Sequence, residues 1–145
     1  MATRGRGART GARPVAVSGP TIGLSTSSVY PEGCAAAFEL AARLGYDGVE
    51  VMVWTDPLTR EAGALRALAE LHGIRILSIH APTLLVTQRV WGNDPWVKID
   101  RSIELAAEVG ADTVVLHPPF RWQREYAAGF VDGVALREHD TGMRL

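Results

Sequence analysis

Gly110-Ala111-Asp112-Thr113-Val114-Val115-Leu116-His117-Pro118 reads as a helix stop followed by an apolar strand that proline closes. The same pattern recurs at Gly45 before the run 49–54, at Gly73 before 74–80, and at Gly142 before 143–145. Glycine suits each stop because it takes the left-handed conformation that ends a helix at no steric cost. The last run holds three residues, so the chain reads as an alternating β/α protein in mid-module, with any site on later strands outside it.

Between these stops lie helical patterns. Cys34, Ala37, Phe38, Ala41 and Leu44 share one face of the first, and Leu65, Leu68, Ala69 and His72 one face of the second. The third has Asp94 as N-cap, Pro95 at its first position, and Ile99, Ile103, Ala106 and Ala107 on one side. A fourth, over 127–140, is weakened by Gly129 and Gly133. Residues 21–26 alternate as a first strand. Glycine-to-glycine spacings of about 28 to 37 residues match one βα module each. Strands joined by helices must run parallel with right-handed crossovers.

Two architectures use such modules, an open doubly wound sheet and a closed eight-stranded barrel. Strict alternation puts Val49, Val51 and Val53, then Leu77 and Ile79, then Val114 and Leu116 beneath the helices. The opposite faces carry Glu50, Met52 and Trp54, then Ile76, Ser78 and His80, then Thr113, Val115 and His117. A sheet covered by helices on both sides would be apolar on both faces. A barrel can hide a mixed polar face in its interior. The reading is therefore α/β: the N-terminal half, about four βα modules, of a (β/α)8 TIM barrel.

The 145 residues suit one domain, 47 % of them apolar. Arg4, Arg6, Arg9 and Arg13 lie in a Gly/Ala/Arg segment, read as a disordered leader over 1–20 before the domain at 21–145. The net charge of −1 hides this asymmetry, since the rest of the chain is acidic. The leader has no apolar core of a secretory signal. No apolar run reaches the roughly 18 residues of a membrane span. The single cysteine, Cys34, excludes an internal disulfide, fits a reducing cytoplasm, and reads as a small buried hydrophobe.

His80 and His117 each lie seven residues after their stop glycine, at the C-terminal end of a strand, with proline close behind. Equal offsets put them at one level on neighbouring strands, about 4.8 Å apart. Barrel enzymes keep their active sites at that end. The pair is a candidate for contacting one substrate or one metal ion, although two histidines are half of a catalytic metal site. Glu50 points the same way two residues deeper, a candidate to orient a substrate hydroxyl, meet a metal or neutralise an arginine. Trp54, on the same face, offers a wall for a sugar ring or base. Trp91, Trp96 and Trp122 fall in or beside loops at that end, as do Arg89, Arg121 and Arg124. His72 and His139 sit at helix C-termini, where a cation favours the dipole. No GxGxxG, Walker, HExxH or GxSxG motif is present, which sets aside dinucleotide, NTP, zincin and serine-hydrolase chemistry.

Together Leu44-Gly45-Tyr46-Asp47-Gly48-Val49-Glu50-Val51, Ser78-Ile79-His80-Ala81-Pro82 and the segment quoted first resemble the xylose isomerase-like barrel superfamily. That group includes sugar phosphate isomerases and epimerases and the type 2 apurinic endonucleases. The resemblance implies a divalent-metal centre (zinc, manganese, magnesium or cobalt) at the C-terminal mouth and a small carbohydrate substrate. His80 and His117 look like the histidines after the third and fourth strands, which bind metal in the endonuclease branch and line the substrate site in the epimerase branch. Glu50 looks like the second-strand glutamate near the substrate. The remaining metal ligands belong to strands five to eight, so the expectation for this chain alone is an inactive half. The leading expectation is a metal-dependent sugar (phosphate) isomerase or epimerase. A second is a phosphodiesterase acting on DNA, against which stands the lack of a dense basic stretch beyond the leader. A third is a non-catalytic half-barrel that pairs with itself through open strand edges.

Overall fold

A computed structural model describes residues 19–83, 87 and 89–145; the leader's residues 1–18 lie outside them. Four strands, β1 (Gly23–Ser25), β2 (Gly48–Met52), β3 (Arg75–His80) and β4 (Val114–Val115), form one parallel sheet in the order β1-β2-β3-β4. Helices α1 (Cys34–Leu44), α2 (Ala62–His72), α3 (Pro95–Val109) and α4 (Arg124–Thr141) alternate with them. Sequence order and spatial order coincide, as in one arc of a barrel. All four stop glycines adopt positive φ, 78° at Gly45, 63° at Gly73, 76° at Gly110 and 69° at Gly142.

Helices α1 and α3 bury the faces their spacing marks, with one exception each, while in α2 Leu65 is buried and Leu68, Ala69 and His72 are half-buried. Cys34, Ala37, Phe38 and Ala41 of α1 are buried, and Phe38 has no exposed surface, but Leu44 is 61 % exposed. In α3, Asp94 caps the first turn by accepting from the Trp96 N–H at 2.8 Å, and Ile99, Ile103 and Ala106 are buried. Ala107 is exposed; Lys98 and Ser102, four residues apart, complete the buried face instead. Burying a residue the size of Phe38 or Leu65 contributes about 1.5 to 3 kcal/mol each. The core joins these side chains to Val49, Val51, Ile76, Ile79 and Val114 of the sheet.

Strict alternation fails in β3. Val49 pairs with Ile76 and Glu50 with Ser78, which leaves Leu77 as an extra residue. This bulge puts Leu77 on the interior side, whereas alternation had set it beneath the helices, and Ile76 joins the core. The Leu77 side chain lies across Gly23 and Gly48. A Cβ at Gly23 would stand 3.0 Å from Leu77 Cδ1, and one at Gly48 would overlap Leu77 Cγ and approach the Arg75 carbonyl oxygen to 2.7 Å. One leucine and two glycines thus fill the deep interior layer below Glu50.

Three boundaries differ from the sequence reading. The first strand is shorter than 21–26 because Thr26 starts a 3-10 turn and its Oγ1 accepts from the Met52 N–H at 2.9 Å. The run 113–117 keeps only Val114 and Val115 in ladder pairing, and Pro118 and Pro119 just beyond have no N–H to extend it. In 143–145 the backbone bridges Thr113 to Arg144 in parallel, the Val114 N–H donating to the Arg144 carbonyl at 2.8 Å. Helix α4 starts three residues earlier than 127 and holds despite its glycines. At Gly133 the reason is steric: a Cβ there would overlap the Trp96 indole. The Arg137 guanidinium covers the other part of that contact, 4.4 Å from the ring centroid, while bonding Asp100 at 2.6 Å. No helix among the described residues is long and apolar enough to cross a membrane.

Two glycines of α4 therefore respond in opposite senses. Gly133→Ala is expected to destabilise by about 2 kcal/mol through overpacking, and Gly129→Ala, with open space around it, to stabilise by about 0.5 to 1 kcal/mol. Urea unfolding midpoints of the two variants check this, and equal shifts would refute the indole contact. Burial, with Asp56 nearby, pushes the Cys34 thiol up from 9.0 to about 12. Near pH 8 the folded chain should alkylate at least ~100-fold more slowly than the urea-unfolded chain, by iodoacetamide labelling followed by mass spectrometry.

Candidate functional site

The β3 bulge returns Ser78 and His80 to the interior face, opposite Glu50 and Met52 of β2. Glu50 is the hub of the polar cluster that results. Its Oε1 accepts from Ser25 Oγ at 3.1 Å and meets His80 Nδ1 at 3.2 Å, and its Oε2 accepts from Ser78 Oγ at 3.2 Å. Ser25 Oγ is also 3.1 Å from Ser27 Oγ. The bond from His80 and those from the two serines hold the Glu50 carboxyl below its ordinary range, against the opposing effect of burial.

His80 and His117 meet as expected from their equal offsets. Their ring centroids are 4.9 Å apart with a tilt of 31°. They are not level in register, since His80 pairs with Val115, and His117 follows two residues later. The His117 N–H reaches Thr83 Oγ1 at 3.4 Å. Both Nε2 atoms are buried and have no hydrogen-bond partner among the described residues. Burial, and secondarily the neighbouring His80, holds His117 below the ordinary imidazole value, so it favours the neutral ring.

The remaining sequence candidates separate from this cluster. Trp54 lines a cleft of about 410 Å³ with Tyr30, Cys34, Met52 and Thr59, and neither Glu50 nor either histidine borders it. The Trp54 wall thus belongs to a neighbouring recess, because the chain turns after Met52 and the Trp54 N–H is taken by Thr59 Oγ1 at 2.9 Å. Trp96 packs edge-on against Tyr126 between α3 and α4. Trp122 is 66 % exposed and stacks on Phe120. Arg89, Arg121 and Arg124 are exposed, and the exposed His139 bonds its neighbour Asp140.

Lys98 and Ser25 carry weight that sequence reasoning missed. The Lys98 ammonium is buried and donates to the carbonyls of Pro82 at 3.0 Å and Thr87 at 3.2 Å, anchoring the chain that follows His80. Its signal was the spacing to Ser102 on an otherwise apolar arc of α3. Ser25 gave no signal, because only the pairing of Ser25 with Glu50 brings it into play.

A cavity of about 960 Å³ reaches Ser25, Glu50, Leu77 and Ser78 from the N-terminal end of the sheet, where Gly73, Arg75, Gly110 and Arg144 line it; neither His80 nor His117 borders it. As donors for a divalent cation, the two partnerless imidazole nitrogens fit two coordination positions. Among the described residues no group of three or more His, Cys, Asp or Glu side chains is arranged to hold a metal, so the fit is to half of a shell.

Comparison with known proteins agrees with this architecture. Uncharacterized proteins of Mycobacterium bovis and Mycobacterium tuberculosis are each 56 % identical over 117 residues, which is 81 % of this chain and 42 % of theirs. The chain thus spans less than half the length of these relatives. Among solved structures, an AP endonuclease of family 2 from Brucella melitensis superposes with a TM-score of 0.64 at 15 % identity, covering 85 % of this chain and 51 % of that one. The apo form of a 3-keto-D-glucoside 4-epimerase from E. coli gives 0.56 at 18 % identity, covering 85 % and 53 %. At such identities these two likenesses concern the fold alone. The sequence profile of the xylose isomerase-like TIM barrel family matches residues 38–138, from α1 into α4, and the chain belongs to that family.

Proposed function

We propose that these four strands supply the substrate-orienting side of a divalent-metal-dependent sugar or sugar-phosphate isomerase or epimerase. The observation that carries this reading is the Ser25–Glu50–Ser78–His80 cluster, a carboxylate fixed by three donors on the interior face. An anionic acceptor beside two half-buried imidazoles suits a neutral polyol, whose hydroxyls donate to it. It repels the phosphates of a nucleic-acid backbone, and Arg89, Arg121 and Arg124 are exposed.

Glu50 would receive a substrate hydroxyl, and the Nε2 atoms of His80 and His117 would hold a second oxygen or take two positions on the cation. When bound, such a cation supplies polarisation of the substrate carbonyl, which lowers the cost of removing a proton from the neighbouring carbon. Lys98 keeps the segment after His80 in place while this happens.

Histidine side-chain NMR tests the proposal on the chain as it stands. Substoichiometric Mn2+ should broaden the His80 and His117 ring signals before those of His72 and His139, and a His80→Ala, His117→Ala variant should lose at least about tenfold in Mn2+ affinity. Added D-fructose or D-fructose 6-phosphate should shift the His80 and His117 signals saturably. Shifts produced by an abasic-site DNA duplex, with both sugars silent, would overturn the sugar reading in favour of the phosphodiesterase.

A further inference from the structure

The hydrogen bonds around Glu50 have directions that its chemistry dictates. An ionised carboxylate only accepts, so Ser25 Oγ and Ser78 Oγ both donate to it, and His80 Nδ1, at 3.2 Å from Oε1, must carry a hydrogen as well. Ser25 has one hydroxyl hydrogen and spends it on Glu50. The 3.1 Å contact between Ser25 Oγ and Ser27 Oγ is therefore a donation from Ser27, whose exposed position ends the chain at solvent. Every link from Ser27 through Ser25 and Glu50 to His80 points toward the carboxylate.

We propose that Glu50 is a positioning residue that locks His80 in the Nδ1–H tautomer, making His80 Nε2 a preformed proton acceptor for a substrate hydroxyl. A neutral imidazole protonated at one nitrogen has its lone pair on the other. At His80 that other atom is buried with no hydrogen-bond partner among the described residues, and its ring centroid is 4.9 Å from that of His117. A buried acceptor without a donor is costly, and an incoming hydroxyl removes that cost on binding. This assignment rests on the sugar reading for the identity of the donor but not for the tautomer itself.

Long-range 1H–15N correlation spectra of the 15N-labelled chain, metal-free with chelator at about pH 8.5, roughly two units above the ordinary imidazole value, read each ring nitrogen separately. His80 should show a protonated Nδ1 and a lone-pair Nε2 as a single tautomer. Glu50→Gln, whose amide can donate to Nδ1, should abolish that preference or reverse it. The Ser25→Ala, Ser78→Ala double variant keeps the Glu50–His80 bond and should leave the tautomer unchanged, which separates positioning from general loosening should the first variant fold poorly. A wild-type His80 protonated at Nε2, a mixture of tautomers, or a tautomer lost in the serine variant would overturn the proposal. Added D-fructose should then move the His80 Nε2 resonance and leave His139 in place. A fixed Nδ1–H tautomer with no response to D-fructose upholds the lock and refutes a hydroxyl as its donor, so the two claims fail separately.

Discussion

Because β3 carries one residue more than β2 between Ile76 and Ser78, the polar side chains of the two strands share a face. Continue the pairing of Val49 with Ile76 without the insertion, and Ser78 would sit opposite Val51 and His80 opposite Val53, both turned toward the helices. Polar atoms would then be buried among Phe38 and Leu65, and Glu50 would have no imidazole. The inserted Leu77 keeps the hydrophobic layer apolar, fills the space above Gly23 and Gly48, and delivers His80 to Glu50. Bulges are uncommon between parallel strands and concentrate near functional sites. Here the association has a mechanical cause.

The sequence disclosed the modular order because glycine stops and helical spacing are local signals, readable within a few turns of chain. It also placed His80 at the end of β3, and the rings of His80 and His117 meet although His117 lies two residues beyond β4. A bulge has no such signature: Ile76-Leu77-Ser78 looks the same whether or not a residue is inserted, so alternation exchanged Ile76 and Leu77. Ser25 and Lys98 were hidden for a related reason, since their roles depend on contacts 25 residues away at Glu50 and 16 and 11 residues away at Pro82 and Thr87. Glycines in α4 read as weakness until Trp96 was placed against one of them.

Charge is distributed economically around the cluster. Glu50 is the ionised member, the neighbouring imidazoles supply nitrogen lone pairs and ring edges, and hydroxyls at Ser25 and Ser78 compensate the carboxylate without adding charge. A carboxylate half-removed from water is tolerable because donors replace the solvent it lost. The Lys98 ammonium donates to the backbone carbonyls of Pro82 and Thr87. Pairing it with Glu50 would neutralise the acceptor that the interior face presents.

The coincidence of spatial and sequence order bears on biosynthesis. Each strand pairs with the one translated before it, and each connecting helix covers the seam just made. Contacts therefore close over short stretches of chain, which keeps the entropy lost per closure small. During vectorial emergence from the ribosome the sheet can grow one strand at a time on a finished edge, so that β3, with its bulge, forms against a β2 that already displays Glu50. The polar cluster would then be assembled in the order in which its residues are synthesised, Ser25 first and His117 last.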